Sequence, residues 1–261
     1  MKSNAAIVTI LAAVLTLSAP GLIAAPDARK ELIDAKLALE KAAYVFDRAA
    51  ILAAREKLRT LTADATAAKW AHYYAALAGW QLHAFAVPRD RSTMGRDLQD
   101  CAASLRNAIA LDSKFAEAHA LLHRCLGEQI ELDPRVLGQT LGPESSAALE
   151  TAAKLDPTNP RVAILQAMAT FYTPEAYGGS RTRGLAAWER ALANFPGTAP
   201  ADPLAPTWGL AEGWAWLGQM YMQMMRPPQP EKARAAYEKA LATRPDFRWP
   251  KEVGLPATAS P

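Results

Sequence analysis

The strongest structural signal in the chain is Trp214-Ala-Trp-Leu-Gly-Gln-Met-Tyr221, which is followed by Ala233, Tyr237, Ala240 and Pro245. Large apolar residues at 214, 217 and 221 recur at the spacing of one helix face. The two alanines and Tyr237 continue that period in a second segment, which Pro245 ends. Gly218 leaves room for the two helices to approach closely. The pattern therefore predicts two helices packed as a pair.

These residues resemble the tetratricopeptide repeat, a unit of two helices that stacks on further copies of itself. The first-helix positions of that repeat fall on Trp214, Leu217, Gly218 and Tyr221. The four residues quoted after them take the second-helix positions, and only the turn, which contains Pro227 and Pro228, is longer than in the family. The resemblance implies an all-α fold, a right-handed superhelical stack of helix pairs called an α-solenoid.

Weaker copies of the unit are marked by four alanines, Ala108, Ala152, Ala191 and Ala240. They lie 44, 39 and 49 residues apart, whereas a standard repeat has about 34 residues, so we expect long inter-helix insertions. The predicted repeats cover residues 68–113, 114–157, 158–196 and 208–245. Residues 28–62 are expected to add degenerate helices, and residues 246–261 to cap the open end of the stack.

Residues 1–24 have the pattern of a secretory signal peptide. Lys2 supplies a positive charge, residues 5–17 form an apolar run, and Pro20-Gly21 precedes small residues suited to cleavage after Ala24. An uncleaved membrane anchor is the alternative, which the short apolar run disfavours. No later segment has about 18 uninterrupted apolar residues. Residues 25–261 are therefore expected to form a single exported domain without a membrane span.

Composition narrows the classes of function. Apolar residues make up 51% of the 261 residues and charged residues 21%, which is typical of a globular protein rather than a disordered one. The net charge of +3, from 29 basic and 26 acidic residues, gives little attraction for a polyanion, so no nucleic-acid partner is expected. The two cysteines are too few for a disulfide scaffold or a four-cysteine zinc site.

Repeat stacks of this type bind along their concave face, which the first helices line. Aligning each unit on Trp214 identifies the residues expected to face that groove. The candidates for peptide binding are His72, Trp80, Arg124, Arg161, Met168, Tyr172, Gln219 and Gln223. Their mixture of apolar and polar groups suits an extended peptide or an amphipathic helix. The alternative is that these positions contact only an insertion or an additional N-terminal helix.

With the signal peptide, the repeats resemble exported bacterial tetratricopeptide proteins and, more distantly, the periplasmic T-component of TRAP-type solute transporters. The resemblance implies a non-catalytic periplasmic scaffold or adaptor that binds a protein segment, without a cofactor. The alternative is a small-molecule-binding or transporter-associated protein, whose ligand would contact residues such as Trp80, Met168, Phe171, Tyr172 and Met222. We find no nucleophile elbow and no serine, histidine and acid set, so no enzyme is predicted. An uncapped first repeat would allow a homo-oligomer.

Three smaller patterns are better explained by structure than by a functional site. Cys101 and Cys125 lie on neighbouring predicted helices, where either a disulfide or two buried thiols would fit. His119 and His123 have the spacing of two ligands on one helix, but the sequence between them lacks the glutamate of a zinc protease, so no metal is expected. Tyr177-Gly-Gly-Ser180 lacks the lysine of a phosphate loop, and a tight turn in which Ser180 or Thr182 caps the next helix explains it better.

Overall fold

The fold is taken from a computed structural model that describes residues 27–85, 91–198 and 200–259. The predicted signal peptide, residues 1–24, lies outside the described residues. The described part of the chain consists of helices and turns and contains no β-strand. Neighbouring helices pack against each other in pairs, which confirms the all-α prediction.

Eleven α-helices are described, and they come in the following order. They are α1 (Ala28–Val45), α2 (Arg48–Leu61), α3 (Ala68–Ala84), α4 (Arg91–Leu111), α5 (Ala116–Leu132), α6 (Pro134–Leu155), α7 (Pro160–Tyr172), α8 (Arg181–Ala193), α9 (Leu210–Gln219), α10 (Pro230–Thr243) and α11 (Leu255–Ala257). A 3-10 turn covers Glu175–Tyr177, and π-helical turns cover Met220–Met224 and Pro250–Gly254. One helix pair lies within each of the four ranges predicted as repeats, and α1 and α2 lie within residues 28–62.

Short polar side chains begin many of these helices. Asp27 accepts a hydrogen bond from the Arg29 amide at 3.0 Å, and Asn159 accepts one from the Arg161 amide at the same distance. Such caps satisfy amide groups that have no partner within the first helical turn. Proline occupies the first position of α6, α7 and α10, where its missing N–H costs no hydrogen bond.

The α9–α10 pair shows why the sequence has glycine at position 218. A Cβ atom there would lie 2.3 Å from Cε1 of Tyr237 on α10. Tyr237 is buried, together with Ala233 and Ala240 on the same helix. The ring of Tyr237 therefore packs directly on the backbone of α9, as a small residue at this position predicts.

The segment that leads into α9 also contacts α3, far back in the chain. The hydroxyl of Tyr74 on α3 donates to the Leu204 carbonyl at 2.6 Å, and the Trp208 indole donates to the Tyr73 hydroxyl at 2.9 Å. We call the aromatic surface next to these bonds the closing interface. It consists of Tyr44, Phe46, Phe85, Trp216, Phe247 and Trp249. The segment predicted as a cap thus packs on the end of α1, on Phe85 directly after α3, and on α10.

A disulfide joins Cys101 of α4 to Cys125 of α5, with a Cα–Cα distance of 6.3 Å. It therefore connects the second helix of one predicted repeat to the first helix of the next. Over the described residues, every helix is too short or too polar to cross a lipid bilayer.

Candidate ligand-binding cavity

The end of α7 and the start of α8 form one wall of an open cavity. Thr173, which precedes Pro174, adopts the extended conformation that a following proline favours, and α7 therefore ends at Tyr172. Gly178 then turns the chain with a φ of +88°. The Ser180 hydroxyl accepts a hydrogen bond from the Arg183 amide at 3.3 Å, which confirms the predicted turn and caps α8.

A close approach between α7 and α8 fixes the aromatic residues of this wall. A Cβ atom at Gly184 would lie 2.6 Å from the backbone nitrogen of Phe171. The Phe171 ring is buried and contacts the edge of the Tyr172 ring, with centroids 5.1 Å apart. Tyr172 itself keeps 43% of its surface exposed. The wall thus presents one anchored ring and one accessible ring.

The opposite wall comes from the π-helical turn that extends α9. The Met225 amide donates to the Met220 carbonyl at 3.2 Å, which closes the wider turn. An Nη atom of Arg181, the first residue of α8, donates to the Met224 carbonyl at 3.3 Å and links the two walls. π-Helical turns of this kind are often found at functional sites.

The space between these walls, which we call the α7–α9 cavity, has a volume of about 430 Å³. It is lined by Phe171, Tyr172, Thr173, Pro174, Glu175, Arg181 and Met224. The accessible Tyr172 ring and the half-buried Met224 give it an apolar part, whereas Arg181 and Glu175 are charged and exposed. This combination suits an organic molecule with a flat apolar body and a carboxylate, which a guanidinium can bind with two hydrogen bonds.

Two of the predicted groove residues are buried rather than exposed. Trp80 has 2% of its surface exposed and Met168 has 3%. The ring centroids of Trp80 and Trp216, a residue of the closing interface, lie 5.4 Å apart. The Trp80 indole N–H donates a hydrogen bond to the Glu128 carboxylate at 2.8 Å. The predicted repeat register placed both residues on an open face, but each is covered by other parts of the chain. Neither residue lines an open groove.

Two predicted arginines have partners inside the protein. Arg124 forms an ion pair of 2.7 Å with the buried Glu128. Arg161 donates to the Trp208 carbonyl at 2.7 Å and lies over the Phe195 ring. Both guanidinium groups therefore hold the fold together in this structure.

The remaining groove candidates do not line one common surface. Gln219 donates to Gln223 one turn further on, at 3.2 Å. His72 is half-buried, and this burial lowers the pKa of its imidazole. Tyr172 is the predicted groove residue that lines the α7–α9 cavity. Phe171, expected for the small-molecule alternative, lies beside it, whereas Met222 is half-buried and is not among the lining residues.

Sequence reasoning missed Arg181 and Met224, which complete this cavity. The signal for Met224 was present in the run Met220-Tyr-Met222-Gln-Met224-Met225, because four methionines in six residues give a soft and adaptable surface. Its significance depends on the π-helical turn, which the helical period does not predict. Arg181 could not be assigned, because its position follows from the turn that reverses the chain between α7 and α8.

The histidine pair does not converge on one point. His119 contacts the Ser113 carbonyl at 3.0 Å, whereas His123 contacts the Ser145 carbonyl at 3.1 Å. Burial lowers the pKa of His123 to about 4. Within the described ranges, no group of three or more metal-ligating side chains is close enough to hold a metal ion.

A much smaller hollow lies within the closing interface. Its volume is about 10 Å³, and its lining includes Tyr44, Trp80 and Glu212. Tyr44 donates to the Glu212 carboxylate at 2.9 Å, and burial raises the pKa of both groups. A hollow of this size has room for about one water molecule, so it is a feature of the packed core.

No protein-family model matches the chain, and neither does any curated protein. A solved structure does match. The chain is similar to the HusA haemophore from Porphyromonas gingivalis, with 25% identity and a TM-score of 0.54. The similarity covers 72% of this chain and 90% of the haemophore.

Proposed function

We propose that this protein binds a planar, carboxylate-bearing organic ligand of the porphyrin class in the α7–α9 cavity. One observation carries the proposal, namely an open cavity of about 430 Å³ with an accessible aromatic ring, in a chain whose fold resembles a haemophore. Binding sites for small molecules have volumes of roughly 300–1,000 Å³. The cavity falls within that range, and its opening leaves room for a ligand to extend beyond its walls.

The chemistry of the lining supports this class of ligand. The Tyr172 ring can stack on a flat conjugated surface, and Phe171 holds it in place through their edge contact. Arg181 lies at the charged rim, where it can bind the carboxylate of a ligand whose apolar body faces inward. The carboxylate of Glu175 would repel a second acid group at its own side of the rim, so it favours one orientation of the ligand.

We propose an exported repeat protein as the wider setting of this site. We propose a right-handed superhelical stack of tetratricopeptide type, a cleaved signal peptide over residues 1–24, and a non-catalytic role outside the cytoplasm. A peptide-binding scaffold is less favoured, because Trp80, Met168, Arg124 and Arg161 contact the protein's own chain.

The test is a titration of the purified protein with haemin, followed by the Soret band and by quenching of tryptophan fluorescence. Tyr172→Ala should weaken binding about tenfold, because it removes a stacking contact worth about 1.4 kcal/mol. Tyr177→Ala is the matched control, since Tyr177 is 82% exposed on the adjacent turn and is not among the lining residues. It should leave binding unchanged.

Two outcomes would contradict the proposal. A protein that does not bind haemin or metal-free protoporphyrin IX has another ligand class. Equal loss of affinity in both tyrosine variants, with unchanged thermal unfolding, would place binding on the outer surface of the turn rather than in the cavity.

A further inference from the structure

Three exposed arginines lie on the turns that form the walls of the α7–α9 cavity. Arg181 donates to the Met224 carbonyl at 3.3 Å, and Arg183 donates to the Gly178 carbonyl at 2.8 Å. Arg226 donates to the carbonyls of the two chain neighbours of Met224, at 2.9 Å and 2.8 Å. Over the described residues, none of the three arginines forms an ion pair with a carboxylate. We call these three arginines the arginine rim.

The positive charge of the arginine rim is held in place but not neutralised. A carbonyl can position a guanidinium, which has five N–H donors, and the bonds above use one or two donors of each. Elsewhere on the surface, Arg106 binds the Glu144 carboxylate through two nitrogens, at 2.7 Å and 2.8 Å, and Arg248 binds Glu252 in the same way. Glu175 is the acidic residue of the cavity lining. The rim therefore has a net positive charge and retains donors that carboxylates of a partner can occupy.

The composition and shape of this surface favour a protein segment over a membrane as its partner. Tyr177, next to the carbonyl that Arg183 binds, is 82% exposed, and Tyr172 is 43% exposed. Tyrosine and arginine are enriched in contacts between proteins, whereas lysine is depleted. The surface is also concave, because the cavity of about 430 Å³ opens between its two walls. A lipid bilayer is flat on this scale, whereas an extended chain can follow such a surface.

We propose that the arginine rim binds an acidic segment of a partner protein, whose glutamate or aspartate side chains pair with Arg183 and Arg226. A guanidinium binds a carboxylate through two parallel hydrogen bonds, which gives geometric specificity as well as affinity. A second copy of this chain is a poorer partner, because carboxylates such as those of Asp34 and Glu144 are paired with its own cations. The proposal does not rest on the proposed function, since neither Arg183 nor Arg226 is among the cavity-lining residues.

The probe is a fluorescein-labelled peptide of eight glutamates, and the same peptide with glutamines is the uncharged comparison. Fluorescence anisotropy should show that the purified protein binds only the glutamate peptide, and more weakly as the ionic strength rises. Arg183→Gln with Arg226→Gln should weaken binding about tenfold, because it removes two charge-assisted contacts. The matched control is Lys41→Gln with Arg190→Gln, which removes the same charge from exposed positions on α1 and the end of α8. It should leave the affinity unchanged.

A second pair of substitutions tests the geometry of recognition. Arg183→Lys with Arg226→Lys keeps both charges but loses the planar fork of the guanidinium, so binding should still weaken several-fold. Thermal unfolding should be unchanged in all of these variants, because every substituted side chain is exposed. Unchanged affinity in the lysine variant would show that charge alone attracts the peptide, contrary to the proposal.

Three further results would overturn the proposal. The first is a wild type that does not bind the glutamate peptide, and the second is an equal loss of affinity in the control pair. The third is binding to vesicles of phosphatidylcholine and phosphatidylglycerol, without peptide binding, that is lost in Arg183→Gln with Arg226→Gln, because the rim would then contact anionic lipid. Haemin titration of the same variant should match the wild type, so failure of the proposed function is seen separately from failure of this proposal.

Discussion

The closing interface and the α7–α9 cavity are both built around aromatic residues, yet one is filled and the other is open. In the closing interface Phe85 stacks on Trp216 with ring centroids 5.2 Å apart, and the hollow nearby measures about 10 Å³. In the α7–α9 cavity Tyr172 faces a volume of about 430 Å³. The difference arises because residues 247–249 reach the first region, whereas no comparable segment of the described chain fills the second. A ring thus stays accessible to a ligand only where no other segment covers it.

The largest expected effect is on the free energy of unfolding, which a substitution in the closing interface should lower more than one in the α7–α9 cavity. Trp216→Ala should destabilise the protein by about 4 kcal/mol, because it removes a buried ring that contacts Trp80, Phe85 and Trp188. Urea unfolding measures the change, and Tyr172→Ala is the comparison. Since Tyr172 is partly exposed, its removal should cost less than about 1 kcal/mol. Similar losses in both variants would mean that Tyr172 belongs to the core.

Arg124 tests whether a predicted groove residue is part of the core. Arg124→Ala should cost about 3 kcal/mol in the free energy of unfolding, since it leaves the buried Glu128 carboxylate without its cation. Replacing both residues, as in Arg124→Leu with Glu128→Leu, should recover part of that loss. If Arg124→Ala stays fully stable but binds the ligand more weakly, Arg124 belongs to the binding surface and not to the core.

A smaller effect concerns the pH dependence of the closing interface. Burial raises the pKa of Glu212, so the folded protein holds this proton more tightly than the unfolded chain does. Its contribution to stability is fully present below about pH 4, the pKa range of an exposed glutamate, and is lost as the pH rises through the folded value. Glu212→Gln keeps an acceptor for Tyr44 and removes the titration.

Unfolding free energies measured from pH 4 to pH 8 test this expectation. The wild type should lose stability relative to Glu212→Gln as the pH rises. Both proteins retain His123, whose lowered pKa acts in the opposite direction, so the difference between them isolates Glu212. A constant difference across this range would show that Glu212 has the same pKa in both states.

The sequence was informative where the helical period alone determines the structure. The pairing of α9 with α10 followed from Gly218, Tyr237 and the alanines, because close packing requires small residues at fixed spacing. The site was less predictable. Tyr172 was identified from the register, but Trp80 and Met168 have the same register and are buried. Which inward positions remain open depends on contacts between residues far apart in the sequence, and a local pattern does not contain them.

The closing interface also limits how the number of helix pairs can change. Arg248 donates to the carbonyl of Val45, across a sequence separation of 203 residues. In an open array each unit contacts only its neighbours, so units can be gained or lost with a roughly additive effect on stability. Here an inserted or deleted pair would displace the end that meets α1 and α3, and both ends would lose their buried surface together. Removing α1 or the segment from Phe247 to Trp249 should therefore unfold the protein cooperatively rather than one helix pair at a time.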